Sequence, residues 1–388
     1  MHRQLSIDLT NLLEKLRDAI SDEHGYAVAL LLDITHPKTL PREINNSPSW
    51  EDQVDYTSTD ELGQTWGEVA ASVVKVSRAV KENKWVVAYN HQAAAVNAFL
   101  RDFSSQSDWA LDPLFTLCRD LRSTADEADK ELVAGGDKPL KLEDCARILN
   151  KAFTACITDR APMRESRKWG TYYMIGLLFR TYFKLKSLNL CKNVLRAVSV
   201  SELPNLSEFP KAHQVTFRYY TGVLSFYKEE FKKAEEDLQP ALAMTPKKYH
   251  KNRRLILHYL IPLKMMRGIL PAKRILKEFP ELNRIYGPLS TAIKTGNLRL
   301  FDDTLTTESN VLIAVGTYLA VERCRIVAMR QLFKKVFLLT GKETRISFDQ
   351  FGTALRFVGV DVDAEEIECY LANMIAKGTS RMNIKRSF

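Results

Sequence analysis

The chain has 388 residues, 45% of them apolar and 27% charged, enough for two or three domains with real cores. The net charge of +9 is uneven: residues 1–150 carry 16 Lys and Arg against 25 Asp and Glu, residues 151–388 carry 40 against 22. No apolar run reaches the ~20 residues of a membrane span, and the amino-terminal stretch has no apolar h-region, so neither a spanning segment nor a secretory signal is expected.

Helical periodicity dominates, beginning with LSIDLTNLLEKLRDAI, which puts Leu5, Leu9, Leu12, Leu13, Leu16 and Ile20 on one face. Residues 36–62, rich in Pro, Asn, Ser and acids, read as an acidic connector. Helices resume at about Trp66, and VAGGDKPLKLED marks the next break. Residues 1–165 form an amino-terminal helical region on this reading.

Residues 166–305 read as TPR-like helical repeats. Gly222, Ala234, Leu238, Ala241 and Pro246 follow the second half of a tetratricopeptide pattern, whose small residues let antiparallel helices approach closely. Leu188, Cys191 and Leu195 precede Phe231, Ala234 and Leu238 by 43 residues, and Ile269, Ala272 and Leu276 follow them by 38. The apolar stretch from Asn252 to Gly268 is then the first helix of a third unit, with Met265 and Met266 as core filler. PAKRILKEF begins the second helix of that unit.

Residues 306–388 read as a winged helix: one long helix from 311, a second ending at Gly341, a short strand in RISF, a helix, and DVDAEEIECYLANMIAKG as a third. Only TSRMNIKRSF follows, so the wing is expected to be short or truncated. The fold class is therefore all-α, a helical-repeat solenoid followed by a winged helix.

No catalytic constellation appears. Gly341-Lys342 lacks the Ser/Thr and the upstream Gly of a P-loop, and DVDAEEIE lacks the central Gly of an EF-hand loop. Its acids suit a helix cap and first turn. The histidines show no H-x-H or H-E-x-x-H spacing, and the six cysteines form no C-x-x-C pair and read as buried thiols of a reducing compartment. A non-enzyme without metal or cofactor is expected.

The basic clusters carry the functional signal. Lys247, Lys248, Lys251, Arg253 and Arg254 surround Tyr249 in the turn between repeats two and three, and Lys334 and Lys335 lie in the winged helix. Such clusters attract phosphates without reading sequence, and an interleaved Tyr can stack on an unpaired base. The same residues also suit a solvated charge run between helices. Arg160, Arg164, Arg167 and Lys168 precede Trp169 and suit a structural role or an acidic peptide. The helix that would enter a DNA groove carries Asp363, Glu365, Glu366 and Glu368, which phosphate would repel, so the winged helix is expected to join proteins.

The strings ESRKWGTYYMIGLLFRTYFKLKSLNLCKNVLRAV, NRRLILHYLIPLKMMRG, KTGNLRLF and RQLFKKVFLL with EIECYLANMIAKG resemble the PCI-domain family. Within it they are similar to the signalosome-subunit-12-like proteins and the PCI subunit of the transcription-and-export complex, over about 90 to 388. The resemblance implies a non-catalytic scaffold in nuclear mRNA processing and export, found in the nucleus or in nucleus and cytoplasm. It implies a larger PCI-domain partner bound through the winged helix, and a small acidic disordered peptide of the Sem/Dss kind. It further implies non-sequence-specific RNA or DNA contact through the seven cations named above from Lys247 to Lys335. The alternative is a purely structural subunit of a signalosome-like or proteasome-lid-like assembly without nucleic acid. The short wing departs from the family pattern.

Overall fold

The computed structural model describes residues 2–35, 49–342 and 346–376. Among them all regular structure is helical, and the chain divides into two compact units, Met1–Phe217 and Arg218–Phe388. That division falls inside a helix.

The first unit holds α1 (His2–Ser21), α2 (Gly25–Leu32), α3 (Trp50–Lys81), α4 (Trp85–Asp102), α5 (Leu111–Ala134), α6 (Lys141–Ile157), α7 (Thr171–Lys184) and α8 (Leu188–Val200), and ends within α9 (Lys211–Tyr227). Leu12, Leu13 and Leu16 of α1 are buried, as the periodicity predicts. Helices α3, α4 and α5 pack in sequence. Small buried residues carry that packing: Ala70, Ala71 and Val74 on α3, Ala88 and Ala95 on α4. The buried Gln92 amide nitrogen donates to the Leu117 carbonyl at 3.0 Å, while its Oε1 is buried without a partner.

The connector expected at 36–62 needs correction. Residues 36–48 lie outside the described residues, but α3 begins at Trp50 with Glu51 and Asp52 in its first turn, where carboxylates favour the helix dipole. Gly63, at φ 75° and ψ 178°, breaks α3, and the helix folds back on itself. Gly67 then lies so close to Ser58 and Thr59 that a Cβ would stand 2.5 Å from the Thr59 Cα. Acid-rich composition and Ser/Thr content concealed a helical arm.

The second unit continues α9 with α10 (Phe231–Met244), α11 (His250–Met266), α12 (Lys273–Glu278), α13 (Pro280–Thr295), α14 (Leu298–Thr307), α15 (Ser309–Val315), α16 (Tyr318–Arg323), α17 (Arg325–Leu339), α18 (Phe348–Phe357) and α19 (Ala364–Ala376). Repeat geometry follows the small residues: a Cβ on Gly222 would stand 2.7 Å from the Leu238 Cγ, and Ala234 and Leu238 are fully buried. In the third unit α12 starts two residues after Pro271, and Ala272 is exposed, so the repeat degenerates there. Met265 is buried and Met266 packs against the same core.

One hydrophobic core runs from Leu257 and Met265 through Tyr286 and Phe301 to Phe333, Leu355 and Leu371, binding the third repeat to the winged-helix helices. The single long helix expected from 311 is instead α15 and α16. Gly316 (φ 81°) separates them, and the Leu312 carbonyl accepts the Thr317 amide at 2.8 Å in a Schellman closure. Gly341 (φ 73°) lies just past α17, as expected. No strand occurs among the described residues: Ser347 is extended and Ile346 belongs to no regular element, and Arg345 and the wing residues after Ala376 lie outside the description. Five cysteines are buried thiols, but Cys369 is exposed on α19, a departure from the expectation that all six are packed.

Candidate nucleic-acid and peptide interface

The turn between α10 and α11 separates its cations by task. Arg253 is turned inward: its Nη1 donates to the Thr245 carbonyl at 3.0 Å and its Nε lies 3.7 Å from the Glu278 Oε1. A cation on the last carbonyls of α10 caps that helix and complements its dipole. Arg254 pairs with Glu281. Arg253 is thus engaged on a helix end, while Arg254 sits in an exposed pair with Glu281. Lys247, Lys248 and Lys251 are exposed, and among the described residues no carboxylate pairs with them. Lys248 lies 5.2 Å from the ring centroid of Tyr249, itself about half exposed. A cleft of about 260 Å³ adjoins them, lined by His250, Lys251, Arg254, Glu278 and Phe279.

The α17 pair also divides. Lys335 donates to the Thr295 carbonyl at 2.7 Å and so caps the carboxyl end of α13, while Lys334 is exposed. The helix cap explains Lys335 without any ligand.

Around Trp169 the acidic-peptide candidates separate in the same way. Arg167 is buried; its Nη2 meets the Asp159 Oδ1 at 2.7 Å and its Nη1 donates to the Phe103 carbonyl at 2.7 Å. Asp159 also accepts from the Ser166 hydroxyl and the Arg167 amide, both at 2.8 Å. Burial alone would raise the Asp159 carboxyl, but these donors outweigh it and bring it down to about 2. Arg167 is thus a core residue and is withdrawn as a peptide contact. Lys168 is half-buried, and Arg160 and Arg164 remain exposed.

On the winged-helix helices, α19 begins with a reciprocal cap: the Asp363 carboxylate accepts the Glu366 amide at 2.8 Å and Glu366 accepts the Asp363 amide at 3.2 Å. Glu365 and Glu366 face solvent, and no cation stands on the described part of α19. The sequence reading missed the apolar residues nearby. Leu339 at the end of α17 is 87% exposed, Phe357 at the end of α18 is 90% exposed, and Leu338 is half exposed. The visible signal was FLLT: consecutive leucines cannot both face one core from a helix.

Among the described residues no group of three His, Cys, Asp or Glu is placed to hold a metal, and no helix is long and apolar enough to cross a membrane. His258 is buried on α11, and burial lowers its pKa.

Residues 294–387 match the PCI domain. The chain is 35% identical to the "Protein CSN12 homolog" of Schizosaccharomyces pombe, over 96% of this chain and 93% of the relative. The chain belongs to the CSN12-homologue family of PCI-domain proteins. Another member of comparable span is the "PCI domain-containing protein 2" of Xenopus laevis, 34% identical over 96% of this chain and 92% of the relative. The "Enhanced ethylene response protein 5" of Arabidopsis thaliana is 29% identical over 95% and 89%. The PCI match starts near the end of α13, twelve residues before the winged-helix boundary read from sequence. That earlier start agrees with a core in which α13 and α14 share side chains with α17.

Proposed function

We propose that this protein is a non-catalytic scaffold subunit of a signalosome-like assembly, joined to a larger PCI-domain protein through its winged-helix end. One observation carries this reading: Leu339 and Phe357 are exposed at the ends of α17 and α18, and α19, which packs on α18, carries carboxylates and no Lys or Arg. Apolar anchors beside an acidic face suit a protein partner and oppose a nucleic-acid backbone.

A second reading adds a nucleic-acid contact, a role in mRNA processing and export, and a nuclear location. What favours it is the trio Lys247, Lys248 and Lys251 beside Tyr249, which meets no carboxylate among the described residues, with Lys334 as a further exposed cation. The acidic peptide of the Sem/Dss kind would then meet Arg160 and Arg164, the exposed members of their cluster.

Two experiments separate the readings. The full chain is co-expressed with a larger PCI-domain protein, and complex formation is followed by gel filtration for the wild type and for Leu339→Glu with Phe357→Glu. Loss of the complex, with an unchanged circular dichroism spectrum, is expected; an intact complex refutes the docking face. RNA anisotropy across a salt series then compares wild type with Lys247→Glu, Lys248→Glu and Lys251→Glu combined. If those lysines contact a single strand, the slope of log K against log salt becomes shallower by about 2. An unchanged slope removes them from any RNA surface.

A further inference from the structure

The arm of α3 before Gly63 is held by few buried side chains. Residues 50–62 contain five carboxylates, Glu51, Asp52, Asp55, Asp60 and Glu61, and no Lys or Arg. Only Val54 and Ser58 of the arm are buried, against nine residues of α3 after the break. The Ser58 hydroxyl is buried without a hydrogen-bond partner, which opposes docking.

Charge supplies what apolar burial does not. Asp55 meets Lys75 at 2.7 Å, Glu61 meets Arg17 of α1 at 2.9 Å, and the Arg78 guanidinium lies 4.3 Å from the Trp50 ring centroid. Arg17 is half exposed and its pair is open to screening, while in the other pair Asp55 is half exposed and Lys75 is 11% exposed, so that pair is screened from one side. At the seat, Gly67 lies directly against the Ser58 and Thr59 backbone. At the break, Gly63 takes a backbone conformation almost confined to glycine, and a Cβ there would meet nothing within 4 Å. The turn is therefore a hinge in open space, not a packed corner.

We propose that residues 50–62 are an acidic strap that docks on the later part of α3 and leaves it as a unit, hinging at Gly63, with ionic strength setting the balance. Released, it uncovers Lys75, Arg78 and the Gly67 seam. That face is built to receive an acidic helix, because it holds one in cis.

Hydrogen exchange of the full chain, read by mass spectrometry at 0.05 M and 0.5 M salt, tests this. Amides of 51–62 are expected to exchange about fivefold faster at the higher salt, as two screened pairs imply, while α4 and residues 70–80 keep their rates. Gly67→Ala is the second arm of the test. It raises helix propensity within α3 but places a Cβ 2.5 Å from the Thr59 Cα. The variant is expected to expose the strap at both salts and leave 70–80 protected. Strap amides insensitive to salt in the wild type and unchanged in Gly67→Ala would overturn the proposal. So would a variant in which α3, α4 and the strap all loosen equally, because the strap would then not be a separate unit.

Discussion

Replacing Asp159 by Asn removes the charge at the centre of the most deeply buried ion pair in the first unit. The Arg167 and Asp159 side chains are 9% and 4% exposed, and the guanidinium's other bond goes to the Phe103 carbonyl. The substitution would leave a buried cation facing a neutral amide, and breaking a pair of this kind typically costs about 3–5 kcal/mol. Titration gives an independent figure. The folded carboxyl is held at about 2 against an ordinary 3.8, and that depression corresponds to about 2–3 kcal/mol at neutral pH. Because the folded pKa lies below the unfolded one, this stability is fully present above about pH 5 and is lost as pH falls through 3.8 toward 2. Urea unfolding followed by circular dichroism, at pH 7 and pH 3, measures both quantities. Asp159→Asn should lower stability by about 2–5 kcal/mol at pH 7, and the gap from wild type should narrow at pH 3. A difference under about 0.5 kcal/mol at pH 7, or a gap that widens on acidification, would refute the assignment of Arg167 to the core. It would also return that residue to the list of available peptide contacts.

Two further substitutions test how the second unit is held. Gly296 ends α13 at φ 71°, and a Cβ there would stand 2.7 Å from the Leu332 backbone nitrogen, so Gly296→Ala should cost about 2 kcal/mol or more through strain and clash together, read as a fall in urea midpoint. Asp363→Ala removes the reciprocal cap of α19 and should cost about 1 kcal/mol, with faster exchange confined to the first turn of that helix. Equal loosening of α17 and α19 would contradict a local cap.

Much of the fold was legible because small residues repeat where helices touch. Ala234, Leu238 and Gly222 named the α9–α10 hairpin, and the offset of 43 residues placed α8, whose first residue is Leu188. Breaks were less legible. Several hairpins turn on a left-handed residue that is not glycine: Asn83 (φ 54°), Lys186 (φ 57°) and Glu229 (φ 62°). Each is followed by an amide reaching back five residues, as Ser187 does to the Tyr182 carbonyl at 2.9 Å. No composition rule flags a lysine there. The candidate site was the least legible part, because a cation's availability depends on residues distant in sequence. Glu278 and Glu281, on α12 and α13, neutralise Arg253 and Arg254, and the carbonyl that holds Lys335 lies 40 residues before it.

The division between paired and free cations in the second unit follows side-chain chemistry. Arg218, Arg253, Arg254, Arg267, Arg284, Arg323, Arg325 and Arg356 all reach carboxylates, and Arg325 grips Asp302 through two parallel bonds of 2.7 and 2.9 Å. A planar guanidinium fork matches a carboxylate and gives directional cross-links between helices, whereas an ammonium on a flexible stem is more strongly hydrated. Most of these arginines tie a helix to a neighbouring segment, Arg356 pairing within α18, and the exposed lysines of the α10–α11 turn are left outside. The surplus of 40 cations over 22 acids after residue 150 therefore overstates the phosphate-facing surface. What remains at the turn is a set of point charges beside one half-exposed Tyr, with no free guanidinium fork to read a base edge. Any nucleic acid held there would be held by charge and stacking alone, without sequence preference and with affinity that falls as salt rises.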